Sequence, residues 1–157
     1  MKLNKILKNT FLVVLACFAL SACAVQKKSS SQLQGDVYTG KDTVEYLASG
    51  VPDRVFFATN ETVLTTASRE TLRAQAAWLR TNSSINVVLE GHADERGTRE
   101  YNLALGENRA LSVKEVLGLY NLDDRIIVVS YGEEQPILTG SNEEAWEKNR
   151  RVELVYY

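Results

Sequence analysis

An aliphatic run, two glycines around a charged loop, and a helix-periodic run follow one another near the middle of the chain. Together they limit what it can fold into. Ile85-Asn86-Val87-Val88-Leu89-Glu90 has the β-branched and aliphatic character of a buried strand. Gly91 and Gly97 bracket His92-Ala93-Asp94-Glu95-Arg96, and helical spacing begins near Glu100. Gly106, Ala110, Val113, Leu117 and Tyr120 then recur on one helix face, with Asn102 and Arg109 on a neighbouring stripe. A strand feeding a helix in this way implies an α/β layer structure. It sends Asp94 off the strand end and Arg109 out of the facing helix.

Two readings of that pair stand side by side. An arginine fork holds a carboxylate bidentately and an aspartate accepts hydrogen bonds from an ammonium, so the two suit a ligand carrying both groups. Alternatively Asp94 and Arg109 pair with each other and tie loop to helix. If the pair is open to solvent, removing one member hurts binding more than folding, because the charges are desolvated only when a ligand arrives.

Elsewhere the pattern predicts further elements. Thr43 to Ala48 reads as a short helical turn, and Val55-Phe56-Phe57 as the first strand. Thr65-Thr66 offers an N-cap for a helix to about Arg80, with Leu72, Ala76 and Leu79 inward and Arg69, Arg73 and Arg80 in solvent. Asp123-Asp124 is expected to break the second helix. Arg125 to Tyr131 reads as a buried strand, being too continuously apolar for an exposed one. A Pro136-containing loop runs from Gly132 to Gly140, and Ser141 and Glu144 fit an S-x-x-E capping box for a short helix. Arg151 to Tyr156 alternates as a half-buried last strand. The order β-α-β-α-β-(α)-β predicts helices packed on a four-stranded sheet, an α/β (α+β) sandwich.

The amino terminus carries its own instruction. Lys2, Lys5 and Lys8 precede an apolar run of ten, Phe11 to Leu20, too short to span a bilayer and typical of a secretory signal. Leu20-Ser21-Ala22-Cys23 looks like a bacterial lipobox. Residues 1–22 are therefore expected to be removed, leaving Cys23 lipidated with two or three acyl chains (a diacylglycerol and a palmitate-type N-acyl), enough for stable anchoring. Ala24 in place of aspartate favours the outer membrane. Cys17 leaves with the signal, so no thiol remains for a disulfide or a metal. Residues 23–41 read as lipidated Cys and polar tether, and 42–157 as the folded domain. Of the 18 basic residues, 15 remain once the three signal lysines go, against 20 acidic ones, which disfavours a nucleic-acid partner.

Catalytic signatures are missing. His92 is the only histidine, and neither a G-x-S-x-G elbow nor an H-E-x-x-H pair occurs. One imidazole beside Asp94 and Glu95 falls short of a zinc set. His92 is expected to make a structural hydrogen bond beside the loop, and neither an enzyme nor a cofactor beyond the covalent lipid is expected.

Gly91 to Thr98 followed by Tyr101 to Ala110 resembles the signature of the OmpA C-terminal-like peptidoglycan-binding family, closest to its branch of peptidoglycan-associated lipoproteins. Ser130 to Pro136 and Asn149 to Val152 resemble two later blocks in the same order, so the likeness runs from about Asp53 to Tyr157. The resemblance implies that the sheet is mixed. It implies that Asp94 takes the ammonium and Arg109 the carboxylate of diaminopimelate in the wall's stem peptide. Arg96, Asn102 and Leu105 would line the pocket, and Asn149 and Arg150 either touch ligand or brace the sheet end. The family often has aspartates where this chain has Ala58 and Asn60; Asn60 can still hydrogen-bond, or serve as a turn residue. Further implied are outer-membrane location facing the periplasm, the Tol-Pal system with the β-propeller TolB as partner, and a role in envelope integrity and cell division. The alternative is a lipid-anchored protein-interaction module with little wall binding.

Overall fold

The computed structural model describes residues 46–156. The expected signal peptide, Cys23 and tether lie outside the described residues. Strand β1 (Tyr46–Ala48) and β2 (Val51–Pro52) form an antiparallel hairpin turning at Gly50, whose φ is +77°. The part of the expected Thr43–Ala48 helical turn that is described is thus a strand. A glycine in the left-handed region closes a tight turn that a continuing helix would not allow.

The main sheet has the order β3-β6-β4-β5, built from β3 (Arg54–Phe56), β4 (Val87–His92), β5 (Ile126–Gly132) and β6 (Arg151–Tyr156). β4 runs parallel to β5 and antiparallel to β6, which is antiparallel to β3, so the sheet is mixed. Helices α1 (Thr66–Thr81), α2 (Arg99–Gly118) and α3 (Glu143–Asn149) complete the sandwich. Thr65 caps α1, its hydroxyl accepting from the Ser68 amide at 3.0 Å. Leu72, Ala76 and Leu79 of α1 join Ala110, Val113 and Leu117 of α2 over Val87, Leu89, Val152 and Leu154 in one core. The expected facing residues are therefore the buried ones, and Trp78 is half-covered beside them.

The close approach of α2 to β4 decides the geometry around the site. A methyl group built on Gly91 would lie 1.9 Å from the Gly106 carbonyl oxygen, and one on Gly106 would lie 2.8 Å from the Gly91 oxygen. Only two glycines allow this crossing, which brings the helix backbone onto the strand. Ser130 of β5 ties in the same place, its hydroxyl donating to the Leu103 carbonyl at 2.7 Å.

Several sequence expectations are corrected. β4 starts two residues late because Ile85 belongs to the turn, its amide donating to the Asn82 carbonyl. Arg125 holds that turn by donating to the carbonyls of Leu79, Asn82 and Ile85, and so supplies partners that the end of α1 lacks. β5 is not a buried strand. It is an edge strand covered by helices on one face, so Ile127 on the other face is 51 % exposed. An apolar run says that a strand is covered somewhere but not on how many sides. α2 ends at Gly118, ahead of Asp123-Asp124, which form a short 3-10 turn with Arg125. The capping box is displaced by one residue: Asn142, not Ser141, caps α3 by accepting from the Ala145 amide at 2.9 Å.

Candidate functional site

Asp94 leaves the carboxyl end of β4, where the loop to α2 begins, and is 7 % exposed. Both of its oxygens are occupied. Oδ1 accepts from the Arg96 amide at 3.1 Å and from Arg96 Nε at 3.0 Å. Oδ2 accepts from Arg96 Nη2 at 2.7 Å and from Arg150 Nη1 at 3.3 Å. Burial pushes the carboxyl's pKa up, but the hydrogen bonds and charge of Arg96, joined by Arg150, outweigh it and hold it below the ordinary value. Asp94 is therefore a carboxylate at neutral pH.

Arg109 does not pair with Asp94. Its guanidinium is fully buried and serves the main chain: Nε donates to the Glu61 carbonyl at 2.9 Å, Nη1 to His92 at 2.9 Å and Nη2 to Ala58 at 3.1 Å. The same group lies 5.4 Å from the Phe57 ring centroid. Burial and the charge of Arg150 lower its pKa to about 10, which leaves it protonated. Arg109 thus fastens the turn after β3 and the end of β4 to α2. Asn60 sits in that turn with φ +56° and is exposed, as a turn asparagine would be.

Arg150, which caps the end of α3 just before β6, is the buried counterpart of Arg109. It donates to the Phe57 carbonyl at 3.1 Å, to Asp94, and to Glu143 Oε1 at 2.8 Å. It braces the sheet end and also holds Asp94. Asn149 holds the loop ahead of α3: its side chain accepts from the Ile137 and Leu138 amides and donates to the Leu138 carbonyl. Asn102 is buried near the start of α2, with Nδ2 on Glu133 and Oδ1 without a partner among the described residues. Leu105 is nearly buried on the same helix, outside the main core cluster.

Arg96 differs from Arg109 and Arg150 in its exposure. More than a third of its side chain, 37 %, meets solvent. Its Cζ lies 4.1 Å from the Trp146 ring centroid, Nη2 donates to Thr59 Oγ1 at 3.2 Å, and Nη1 lies 3.9 Å from Glu143 Oε2. Trp146 in turn donates to Glu95 Oε1 at 3.1 Å. Trp146, Glu143 and Thr59 were not picked out from the sequence. They come from an element about fifty residues downstream and a loop nearly forty upstream, and nothing in their spacing signals the meeting.

His92 makes no structural hydrogen bond through its ring. Both imidazole nitrogens are buried without a partner among the described residues, and the ring stacks on Tyr131 at 5.6 Å. Burial first, then the charges of Arg151 and Arg54, lower its pKa to about 3, so it is neutral.

These features form a cluster of fixed charges at the carboxyl end of a central strand: Asp94 and Glu143, three arginines and an indole. Residues 56–150 match the model of the OmpA family. The chain belongs to the OmpA family. Its relatives include the peptidoglycan-associated lipoprotein of Agrobacterium fabrum, 34 % identical over 98 % of this chain and 90 % of that one. The protein of the same name from Pseudomonas aeruginosa is 56 % identical over a shorter stretch, 46 % of this chain and 44 % of that one. Among solved structures, the peptidoglycan-associated lipoprotein of Burkholderia pseudomallei superposes with a TM-score of 0.67 at 32 % identity, covering 76 % of this chain and all of that one. The C-terminal domain of Helicobacter pylori MotB shares the fold at 22 % identity, TM-score 0.62, over 67 % of this chain and 84 % of that one.

Proposed function

We propose that this protein is an envelope lipoprotein that binds peptidoglycan non-covalently through the cleft around Asp94. Lipid on Cys23 would hold it to the outer membrane with the domain facing the periplasm, linking membrane to wall as part of the Tol-Pal system, with TolB as partner. Reversible attachment of this kind keeps the layers together while the wall is remodelled during division, and it needs no catalysis.

The observation that carries the reading is the charge arrangement. A buried ionised carboxylate stands among Arg96, Arg109 and Arg150, and the Agrobacterium relative named for peptidoglycan is similar over 98 % of the chain. An amino-acid head group such as that of diaminopimelate offers an ammonium for Asp94 and a carboxylate for a neighbouring guanidinium. Arg109 keeps guanidinium protons beyond the three given to carbonyls. Arg96, Asn102 and Leu105 line the approach, and Asn60 rims it.

One observation favours a second reading, a lipid-anchored module that contacts proteins and not the wall: Asp94 is already fully bonded and Arg109 is covered. Co-sedimentation with purified diaminopimelate-type sacculi separates the two. The full chain in mild detergent is expected to pellet with the sacculi, and a folded Asp94→Asn variant to stay in the supernatant. If the wild type stays in solution as well, the protein-contact reading replaces the first.

A further inference from the structure

Resting on the lipid-anchor reading and not on the wall site, we infer that the outer face of α1 docks on an anionic phospholipid surface through Arg69, Arg73 and Arg80. Every other arginine and lysine among the described residues holds a carboxylate or a carbonyl. Arg69, Arg73 and Arg80 are exposed and hold neither there. Their spacing aligns them: at the helical repeat they fall within about 40° of arc, along about 16 Å of helix. Leu72, Ala76 and Leu79 are buried in the core on the other side of α1, which fixes the arginine stripe outward. Three unpaired guanidinium groups in line, on a chain expected to carry more acid than base, make a surface for an anionic partner.

The position of α1 says which partner. Gln75 of α1 donates to the Pro52 carbonyl of β2 at 2.7 Å, and Leu47 of β1 shares a core with Leu72 and Ala76. The chain arriving from Cys23 therefore enters the described domain beside this helix. The 22 residues from 24 to 45 span about 80 Å at most, so a lipid on Cys23 keeps α1 within reach of the membrane. Phosphate head groups suit the planar guanidinium fork, and each arginine near an anionic leaflet favours the docked state by a factor of about five. A second copy of the chain offers less. Its acids at Glu134, Glu143 and Glu144 are already paired with Arg99, Arg150 and Lys148.

Two acids border the face without interrupting it. Glu70 lies at the flank of the stripe, about 60° from Arg73 around the helix. Glu115 lines the groove between α1 and α2 together with Arg69, Val63 and Leu119. Val63 and Leu119 are 57 % and 78 % exposed and add apolar contact beside the charges. None of the residues around Asp94 belongs to α1, so docking and wall binding draw on different side chains.

The test places the full chain, lipidated on Cys23, in nanodiscs of phosphatidylcholine alone or with roughly one part phosphatidylglycerol to two of phosphatidylcholine. A neutral arginine-selective dicarbonyl then labels exposed guanidinium groups, and mass spectrometry reads the rate at each site. Arg69, Arg73 and Arg80 are expected to label at least about fivefold more slowly in the anionic discs. Arg99, exposed at the start of α2, is expected to keep one rate and serves as the internal control. Salt at about 0.5 M should restore the fast rate. With all three arginines changed to glutamine, energy transfer from the tryptophans to dansyl head groups should be equal in the two discs, whereas in the wild type it rises with anionic lipid. The labelling uses the wild type, so it decides even if the triple variant misfolds. Rates at the three arginines that ignore lipid composition overturn the docking and leave the anchor standing; if those rates are slow in both discs, a protein neighbour covers the face instead. A chain that does not enter the discs overturns the anchor and the docking together.

Discussion

Arg109→Met is expected to lower the folding free energy by roughly 3–5 kcal/mol, because the carbonyls of Ala58, Glu61 and His92 lose their partner together. A small domain holds only about 5–15 kcal/mol in all, so the variant would sit near the edge of folding. Arg109→Lys rescues little, since a single ammonium cannot span three carbonyls set around a planar fork. Urea denaturation checks this: both variants should show midpoints far below the wild type with an unchanged slope. A midpoint within experimental error of the wild type would mean that the buried guanidinium is not the fastener described. The consequence for binding is practical. Had Asp94 and Arg109 formed an open pair, either could be removed to probe the ligand. With Arg109 fully buried, loss of binding in its variants reports unfolding as readily as a lost contact.

Acid sensitivity above pH 5 is expected to come from one residue, His92. Its folded pKa of about 3 lies below the ordinary value of 6.5 because the ring is buried between cationic neighbours. The sign follows from proton counting. Between those two values the unfolded chain takes up a proton that the folded chain refuses, so stability is full above 6.5 and is lost as pH falls toward 3. From pH 7 to pH 5 the loss amounts to about 2 kcal/mol. Asp94 acts lower down: its depressed carboxyl stabilises the fold above the ordinary carboxylate range and stops doing so in stronger acid. His92→Phe keeps an aromatic ring against Tyr131 and removes both unpartnered nitrogens. Its stability should therefore be nearly flat from pH 7 to pH 5. A wild-type decline that persists unchanged in His92→Phe would assign the effect elsewhere.

What the sequence made readable is what periodicity and local chemistry control. The α1 cap at Thr65, the inward stripe Gly106-Ala110-Val113-Leu117 and the final strand Arg151–Tyr156 follow from spacing and stand as expected. Adjacent short signals were harder to resolve. Asn142 takes the α3 cap from Ser141 because both residue types cap well and only the chain direction decides between them. The edge position of β5 depends on which strands pair, which its own residues do not encode. For the site, the loop and the helix that carry Asp94 and Arg109 were legible, but their partners were not. Arg109 answers to carbonyls left over by a turn that ends some fifty residues earlier, and Arg150 and Trp146 arrive at the site only when β6 and α3 are in place. Such a distribution follows from folding geometry and leaves no mark in local composition.

The central claim is that Asp94 receives a ligand ammonium. Calorimetric titration of a diaminopimelate-terminated stem tripeptide into the full chain, wild type against Asp94→Asn, tests it most directly. Asparagine retains an acceptor beside Arg150 and Arg96, and circular dichroism verifies that the variant is folded. Losing a charged hydrogen-bonded partner in a desolvated site should weaken binding by at least about thirtyfold. Equal affinity in the two folded proteins would place the ligand elsewhere and contradict the account.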